Sequence, residues 1–153
     1  MKKINTYKIN LEMAANSLGL TVEKTIEMFN DGRFLGRYVE FLHEKSEGGE
    51  RQKENSSYDV KEKNNLKSEV RTITDKVSFA SSKEVGYGRK VTENGFNEKL
   101  NSVDRFILTD KRLLSDGILE TIEVTKEDLN SLPLGKNKSI SAKKFYEIYD
   151  RVK

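Results

Sequence analysis

The apolar positions in the first third of the chain recur with the period of an amphipathic helix. In residues 8–18, leucines and alanines fall at i, i+3, i+4 and i+7, which predicts a helix with one buried side. Asn10 suits the N-cap of this helix, and Gly19 suits its end. Thr21 predicts the start of a second helix. The apolar side of that helix consists of Val22, Ile26 and Phe29.

A third helix is predicted over residues 34–44, after a break at Asp31-Gly32. Its buried stripe consists of Leu35, Tyr38, Val39 and Leu42. Glu40 lies beside the centre of this stripe, where an ordinary helix carries a solvated charge. His43 follows near the helix end, where a cation is favoured, so we expect it at the surface.

Beyond residue 45 the pattern changes to short runs that predict β-strands. These runs are residues 57–60, 66–74, 77–79, 103–109 and 117–124, of which the last two are expected to pair. The polar connection 46–57 precedes them, and a turn is expected at Asn64-Asn65. Further helical segments are predicted at residues 94–100, at a capped turn over 125–128, and after Ser141. The apolar side of the last helix consists of Phe145, Ile148, Tyr149 and Val152. This order predicts an α/β (mixed α+β) fold, with a small mixed β-sheet flanked by helices.

Length and composition are consistent with one soluble domain of 153 residues. We expect a helical N-terminal region over residues 1–45 and a core over residues 46–153. The net charge of +3 is compatible with nucleic-acid binding but does not indicate it. The absence of cysteine excludes disulfides and thiolate metal sites, and a single histidine excludes a His-rich site. Neither a signal peptide nor an apolar run near 18 residues is found, so we expect a cytoplasmic protein without membrane contact.

Two helices separated by a short glycine-containing turn resemble a helix-turn-helix. The second helix would then contact DNA, but only Lys24 and Asn30 are suited to base edges there. Two helices that pack into a core give the same pattern.

A pair of carboxylates and one cation form the main chemical pattern of the sequence. Glu69 and Arg71 share one face of a predicted strand, about 7 Å apart along the chain. If Asp59 ends the neighbouring strand, the three side chains meet. Carboxylate oxygens are the ligands that Mg²⁺ prefers, and a cation beside them stabilises phosphate charge. A hairpin with solvated charges would produce the same spacing.

The segment 75–91 combines small hydroxyls, glycines and cations, which suits a loop pressed against nucleic acid. Its candidate DNA contacts are Ser81, Ser82, Lys83, Tyr87, Arg89 and Lys90. An ordinary surface loop is the alternative. The segment directly follows the predicted Glu69 strand, so a ligand bound there would meet this loop.

Asp59…Glu69-Val70-Arg71, behind a helix that contains Gly36…Glu40, resembles the PD-(D/E)xK nuclease superfamily and, within it, the small type II restriction endonucleases. The resemblance covers residues 34–153. It includes the loop after the active-site strand, the following helix, the hairpin with VDRFILT and the C-terminal ISAKKF.

This resemblance implies a restriction-endonuclease-like core that hydrolyses phosphodiester bonds in double-stranded DNA. Asp59 and Glu69 would ligate Mg²⁺, Glu40 would assist, and no organic cofactor would be needed. Arg71 stands where the family usually has lysine. Because arginine keeps its proton, Arg71 could only orient water or neutralise phosphate. The base would then be a metal-bound hydroxide, a substrate phosphate or another lysine such as Lys83.

Family members of this size act as symmetric dimers on palindromic sites, so a homodimer is expected. Residues 1–32 would be free for dimer contact or for embracing DNA. Two other classes remain open. One is a non-catalytic DNA-binding regulator that uses the N-terminal helix pair, and the other is a phage or structural interaction module without a nucleic-acid role.

Overall fold

The computed structural model describes residues 1–53 and 56–153. The N-terminal part contains β1 (Lys2–Lys8), α1 (Leu11–Leu18), α2 (Val22–Phe29) and α3 (Gly32–Glu47). The middle contains β2 (Glu50–Arg51), β3 (Val60–Lys61), β4 (Lys67–Thr72), β5 (Lys76–Ser78) and α4 (Glu93–Ser102). The remainder contains β6 (Arg105–Asp110), a 3-10 turn (Leu114–Asp116), β7 (Ile118–Thr125), α5 (Lys126–Ser131), β8 (Ser139–Ser141) and α6 (Ala142–Val152).

Six strands form one mixed sheet in the order β1-β7-β6-β4-β3-β2. β4 and β6 are parallel, and the connection between them contains α4. The other neighbours in the sheet are antiparallel. β5 and β8 pair separately as a two-stranded sheet. The predicted fold class, a mixed sheet with flanking helices, is confirmed at this level.

The large sheet separates two hydrophobic cores. Val60 and Val70 pack with Leu35 and Val39 of α3 on one face. The core on the other face contains Phe106 and Leu108 of β6, Phe96 of α4, Phe145 and Tyr149 of α6, and Phe79, which follows β5. Because consecutive strand residues point to opposite faces, β4 contributes side chains to both sides of the sheet.

Several local predictions are confirmed. The side chains of Asn10 and Thr21 accept hydrogen bonds from the backbone at the starts of α1 and α2, and Gly19 ends α1 with φ of 67°. Thr125 forms a capping box that starts α5, and Ser141 caps α6. The predicted pairing of the strand at 103–109 with that at 117–124 is the antiparallel β6–β7 pair.

The N-terminal strand was not predicted, and the first predicted helix begins too early. Lys8 is the last residue of β1 rather than part of α1. β1 lies at an edge of the sheet and buries little. Its sequence KKINTYK therefore carries only two large apolar side chains, Ile4 and Tyr7, and shows no clear strand pattern. The region 1–45 is therefore not wholly helical.

The burial of three residues differs from prediction. Leu18 and Val152 are exposed, because they lie at the C-terminal ends of α1 and α6. His43 is fully buried rather than at the surface, because α3 continues beyond it to Glu47. The predicted connection 46–57 also contains the end of α3 and the strand β2; its residues 54 and 55 lie outside the described part of the chain.

None of the described helices combines the length and the apolar character that a membrane crossing requires.

Candidate functional site

The two predicted carboxylates lie on adjacent strands. β3 pairs with β4 so that Val60 faces Ser68, which places Asp59 next to Glu69. The carboxylate of Asp59 accepts a hydrogen bond of 2.8 Å from the backbone N–H of Val70. The short strand β3 thus positions one acid of the site, and β4 positions the other.

Arg71 lies on the same face of β4 as Glu69, as its spacing predicts. One guanidinium nitrogen lies 2.7 Å from Oε1 of Glu69 and donates a second bond of 3.1 Å to the carbonyl of Ala80. Nε of Arg71 is buried without a hydrogen-bond partner among the described residues. Arg71 therefore connects β4 to the start of the loop that follows β5.

Lys99 is the member of the site that sequence reasoning missed. Its side chain is 7% exposed, its Nζ lies 2.9 Å from Oε2 of Glu69, and it donates a 2.9 Å bond to the carbonyl of Ser57. The signal was its position three residues after Phe96, which places a lysine on the buried side of α4. Lys83, the lysine that the sequence suggested, is exposed and has no part in this contact.

Glu40 approaches the same site from α3. It is half-buried, and its carboxylate accepts a 2.7 Å hydrogen bond from Nε of Arg51. Burial raises the pKa of Glu40 to about 7, with further repulsion from Asp59 and a smaller opposing effect of Arg37.

The pKa of Asp59 is raised for the same main reason. Burial raises the pKa of Asp59 to about 6, and the charge of Glu69 adds to the rise. The bond from Val70 and the charges of Arg71 and Lys99 partly oppose it. Three cations, Arg71, Lys99 and Arg51, match the charges of the three acids, so desolvation rather than an excess of negative charge is the main cause of the raised pKa values.

The donor set fits a hard dication that keeps several of its water molecules. Asp59 and Glu69 supply carboxylate oxygens, the ligand type that Mg²⁺ prefers. Both oxygens of Glu69 already contact cationic groups of Arg71 and Lys99. Within residues 1–53 and 56–153, no three acidic, histidine or cysteine side chains surround one point as a complete metal cage would require.

The predicted DNA contacts divide into two groups. Ser81, Ser82 and Lys83 line a polar cleft of about 340 Å³ that Lys99 also lines. Ser82 borders a second groove as well, of about 760 Å³, which Arg71 and Arg33 line. The other predicted contacts are Tyr87, Arg89 and Lys90. They line neither the cleft nor the groove and lie on the exposed outer part of the loop.

No protein-family model, no curated protein and no solved structure gives a significant match to this chain.

Proposed function

We propose that this protein is a Mg²⁺-dependent endonuclease of the restriction type, which hydrolyses phosphodiester bonds in double-stranded DNA. The observation that carries the proposal is the meeting of Asp59, Glu69 and Lys99, beside Arg71, at one face of β4. The order of elements supports it: a helix (α3), three antiparallel strands (β2, β3 and β4), the short strand β5 with its loop, a second helix (α4) and then β6 is compatible with a restriction-endonuclease-like core.

In this proposal, Asp59 and Glu69 hold the dication. Bound Mg²⁺ would polarise the phosphoryl oxygen and lower the pKa of water. Asp59 has one oxygen bonded to the backbone of Val70, which fixes the direction of its carboxylate. Arg71 is fixed at two points and presents a permanent positive charge toward the groove, where it can stabilise the charge that develops on phosphate.

Lys99 supplies the amine that the arginine at position 71 does not. An ammonium group has three N–H donors, and Glu69 and the carbonyl of Ser57 engage two of them. The third is available to a water molecule or phosphate in the cleft that Lys99 lines. Lys99 therefore replaces Lys83 as the proposed lysine of the site.

The reaction requires one proton to leave the attacking water and another to reach the leaving oxygen. As water forms its bond to phosphorus, the opposite P–O bond breaks. A pKa of about 7 makes Glu40 a carboxylate that exchanges a proton near neutral pH. We assign Glu40 a supporting role in this proton transfer.

Plasmid digestion tests the proposal directly. Discrete fragments that form with Mg²⁺ and disappear with EDTA would support it. The Asp59→Ala variant should lose cleavage and retain DNA binding, whereas Asp104→Ala, a change of an acid outside the site, should keep both cleavage and DNA binding. A fully active Asp59→Ala variant would remove Asp59 from the site.

A non-catalytic DNA-binding protein is the second candidate, and one observation favours it. Arg71 and Lys99 contact both oxygens of Glu69, which leaves this acid less free for a metal than its partner Asp59. A band shift without cutting, at any Mg²⁺ concentration, would support this candidate.

We also propose a homodimer formed through the N-terminal helices. Leu18, Leu20 and Phe34 expose apolar surface on this part of the molecule, where a DNA-reading helix would expose cations. Sedimentation of the protein only as a monomer, with and without DNA, would contradict the homodimer.

A further inference from the structure

The outer end of the loop after β5 presents a fully exposed aromatic side chain. Tyr87 has a relative exposure of 107%, the highest among the large apolar side chains that the structure describes as exposed. Gly86 and Gly88 flank it with φ of 134° and 74°, which are conformations that favour glycine. The chain therefore makes a tight turn here with Tyr87 at its tip.

Two sets of contacts hold this turn in place. Arg89 donates from its side chain to the carbonyl of Lys83 and from its backbone to that of Gly86, which closes the turn on itself. The carboxylate of Glu84 accepts a 2.8 Å hydrogen bond from the hydroxyl of Thr92, the N-cap of α4. The tip is thus attached to a helix that also carries Lys99.

Because Gly95 has no Cβ, the carboxylate of Glu84 can contact the first turn of α4. A Cβ at this position would lie 1.9 Å from Oε1 of Glu84, so the carboxylate sits directly against the first turn of the helix. A negative charge at a helix N-terminus is favourable, which adds to the hydrogen bond. The position of Tyr87 is thereby fixed relative to the site by a specific contact between Glu84 and the start of α4.

The surroundings of Tyr87 are basic. Lys83, Arg89 and Lys90 carry positive charge within four residues of it along the chain, and all three are exposed. A fully exposed aromatic ring, next to cations that attract phosphates, is the combination that binds nucleobases by stacking.

We infer that Tyr87 stacks on a nucleobase, and that in duplex DNA it does so at a base step that has been opened. This inference rests on the proposed function for its substrate class. The faces of paired bases are covered by their neighbours, so stacking requires partial unstacking of one step, as for other side chains that wedge into DNA. A duplex with an unpaired base would not incur that cost and should bind more tightly.

The experiment compares two 20-base-pair duplexes, one fully paired and one with a single bulged adenine, by fluorescence anisotropy in EDTA. Wild-type protein should prefer the bulged duplex. Tyr87→Ala should bind it about tenfold more weakly, the range seen for loss of one base–aromatic stack, and should lose the preference. Tyr87→Phe keeps the ring and should behave as the wild type.

Lys90→Ala is the matched control. Loss of a phosphate contact should weaken binding to both duplexes equally and reduce the salt dependence by about one unit of slope, whereas Tyr87→Ala should leave that slope unchanged. Wild-type affinity in Tyr87→Ala would overturn the stacking role, as would a Tyr87→Phe variant as weak as Tyr87→Ala. If the wild-type protein binds neither duplex, the inference and the proposed function both fail; if it binds and only Tyr87 proves irrelevant, the inference fails alone.

Discussion

Ser68 and Glu69 are consecutive residues of β4, yet their side chains join two separate buried networks on opposite faces of the sheet. Ser68 donates to Glu62, which also contacts His43 and Arg105. Glu69 instead contacts the cations of the candidate site. The first network is buried at His43, Glu62 and Ser68 and meets the surface beside a small cleft of about 240 Å³ that Glu62 lines, whereas Lys99 and Arg71 of the second line two larger grooves. The two faces therefore separate a structural role from a proposed chemical role.

Replacement of Lys99 by methionine should slow cleavage strongly while DNA binding is retained. Methionine fills the volume of the lysine stem without its charge, and Glu69 still has Arg71 as a partner. Loss of one charge-stabilising donor from such a site reduces turnover by about 100- to 1000-fold. The measurement is single-turnover cleavage at saturating enzyme. Lys144→Met, on the exposed side of α6, is the control, and an unchanged cleavage rate in Lys99→Met would exclude Lys99 from the reaction.

The sequence predicts the Asp59–Glu69–Arg71 arrangement well because strand geometry alone determines it. A two-residue spacing on one strand, and a neighbouring strand joined by a short turn, leave little freedom for these three side chains. Lys99 could not be placed in the same way. Its approach to Glu69 depends on how α4 packs against the sheet, and that packing is decided by long-range contacts of residues such as Phe96.

His43 illustrates the same limit. A histidine near a predicted helix end is expected at the surface, and the contact with Glu62, nineteen residues later in the chain, favours its burial. The edge strand β1 was missed for a related reason. Its polar sequence does not predict a strand, and its extended conformation depends on its pairing with β7.

Mg²⁺ should stabilise the folded protein through Asp59. A ligand that binds only the native state raises the free energy of unfolding by about 2.7 kcal/mol when its concentration is one hundred times its Kd. A rise in Tm with Mg²⁺ should therefore occur in the wild type and disappear in Asp59→Asn. Glu147→Gln, an exposed acid on α6, should respond as the wild type does. An equal rise in Asp59→Asn would place the ion elsewhere.

Titration of Glu40 should lower the free energy of unfolding as pH rises from about 4.5 to 7. Burial raises the folded-state pKa of Glu40 from its ordinary value of 4.5 to about 7, so between these pH values the native state holds a proton that the unfolded state has released. The free energy of unfolding then falls with pH in this window. Solvent and Arg51 reduce the effect to about 1 kcal/mol, below the full linkage value.

Urea unfolding of the wild type and of Glu40→Gln at pH 5 and pH 8 measures this contribution. The uncharged amide does not titrate, so Glu40→Gln should lose less stability between the two pH values. Parallel curves for the two proteins would show that Glu40 titrates with an ordinary pKa.

Gly95→Ala should loosen the loop without weakening the fold. The new methyl group displaces the carboxylate of Glu84, while alanine in a helix gains about 0.5–1 kcal/mol over glycine. We expect an unchanged or higher Tm, together with faster tryptic cleavage at Lys83 and Arg89 and weaker DNA binding. Gly36→Ala is the matched control, because its Cβ would meet only an ordinary contact 3.6 Å from Thr72. Slow cleavage in Gly95→Ala would mean that Glu84 does not hold the loop.

Glu62→Gln should destabilise the fold and leave the proposed chemistry unchanged. Glu62 is 3% exposed and accepts hydrogen bonds from His43 at 2.7 Å and from Ser68 at 2.6 Å, in addition to its contact with Arg105. Removal of one charge from a buried pair typically costs about 3–5 kcal/mol, because the partner stays buried without compensation. Urea unfolding at pH 7 measures this loss, and cleavage per folded molecule should equal that of the wild type.

The pH dependence of this loss identifies its cause. Burial alone would raise the pKa of Glu62, but the bonds from Arg105, Ser68 and His43 outweigh it and hold the pKa below its usual range. A lowered folded-state pKa gives stability that is present above the unfolded-state pKa and is lost as pH falls through the folded-state value. The difference between the wild type and Glu62→Gln should therefore be full at pH 7 and should shrink below about pH 4. A difference that stays constant down to pH 2 would show that packing, rather than charge, accounts for the role of Glu62.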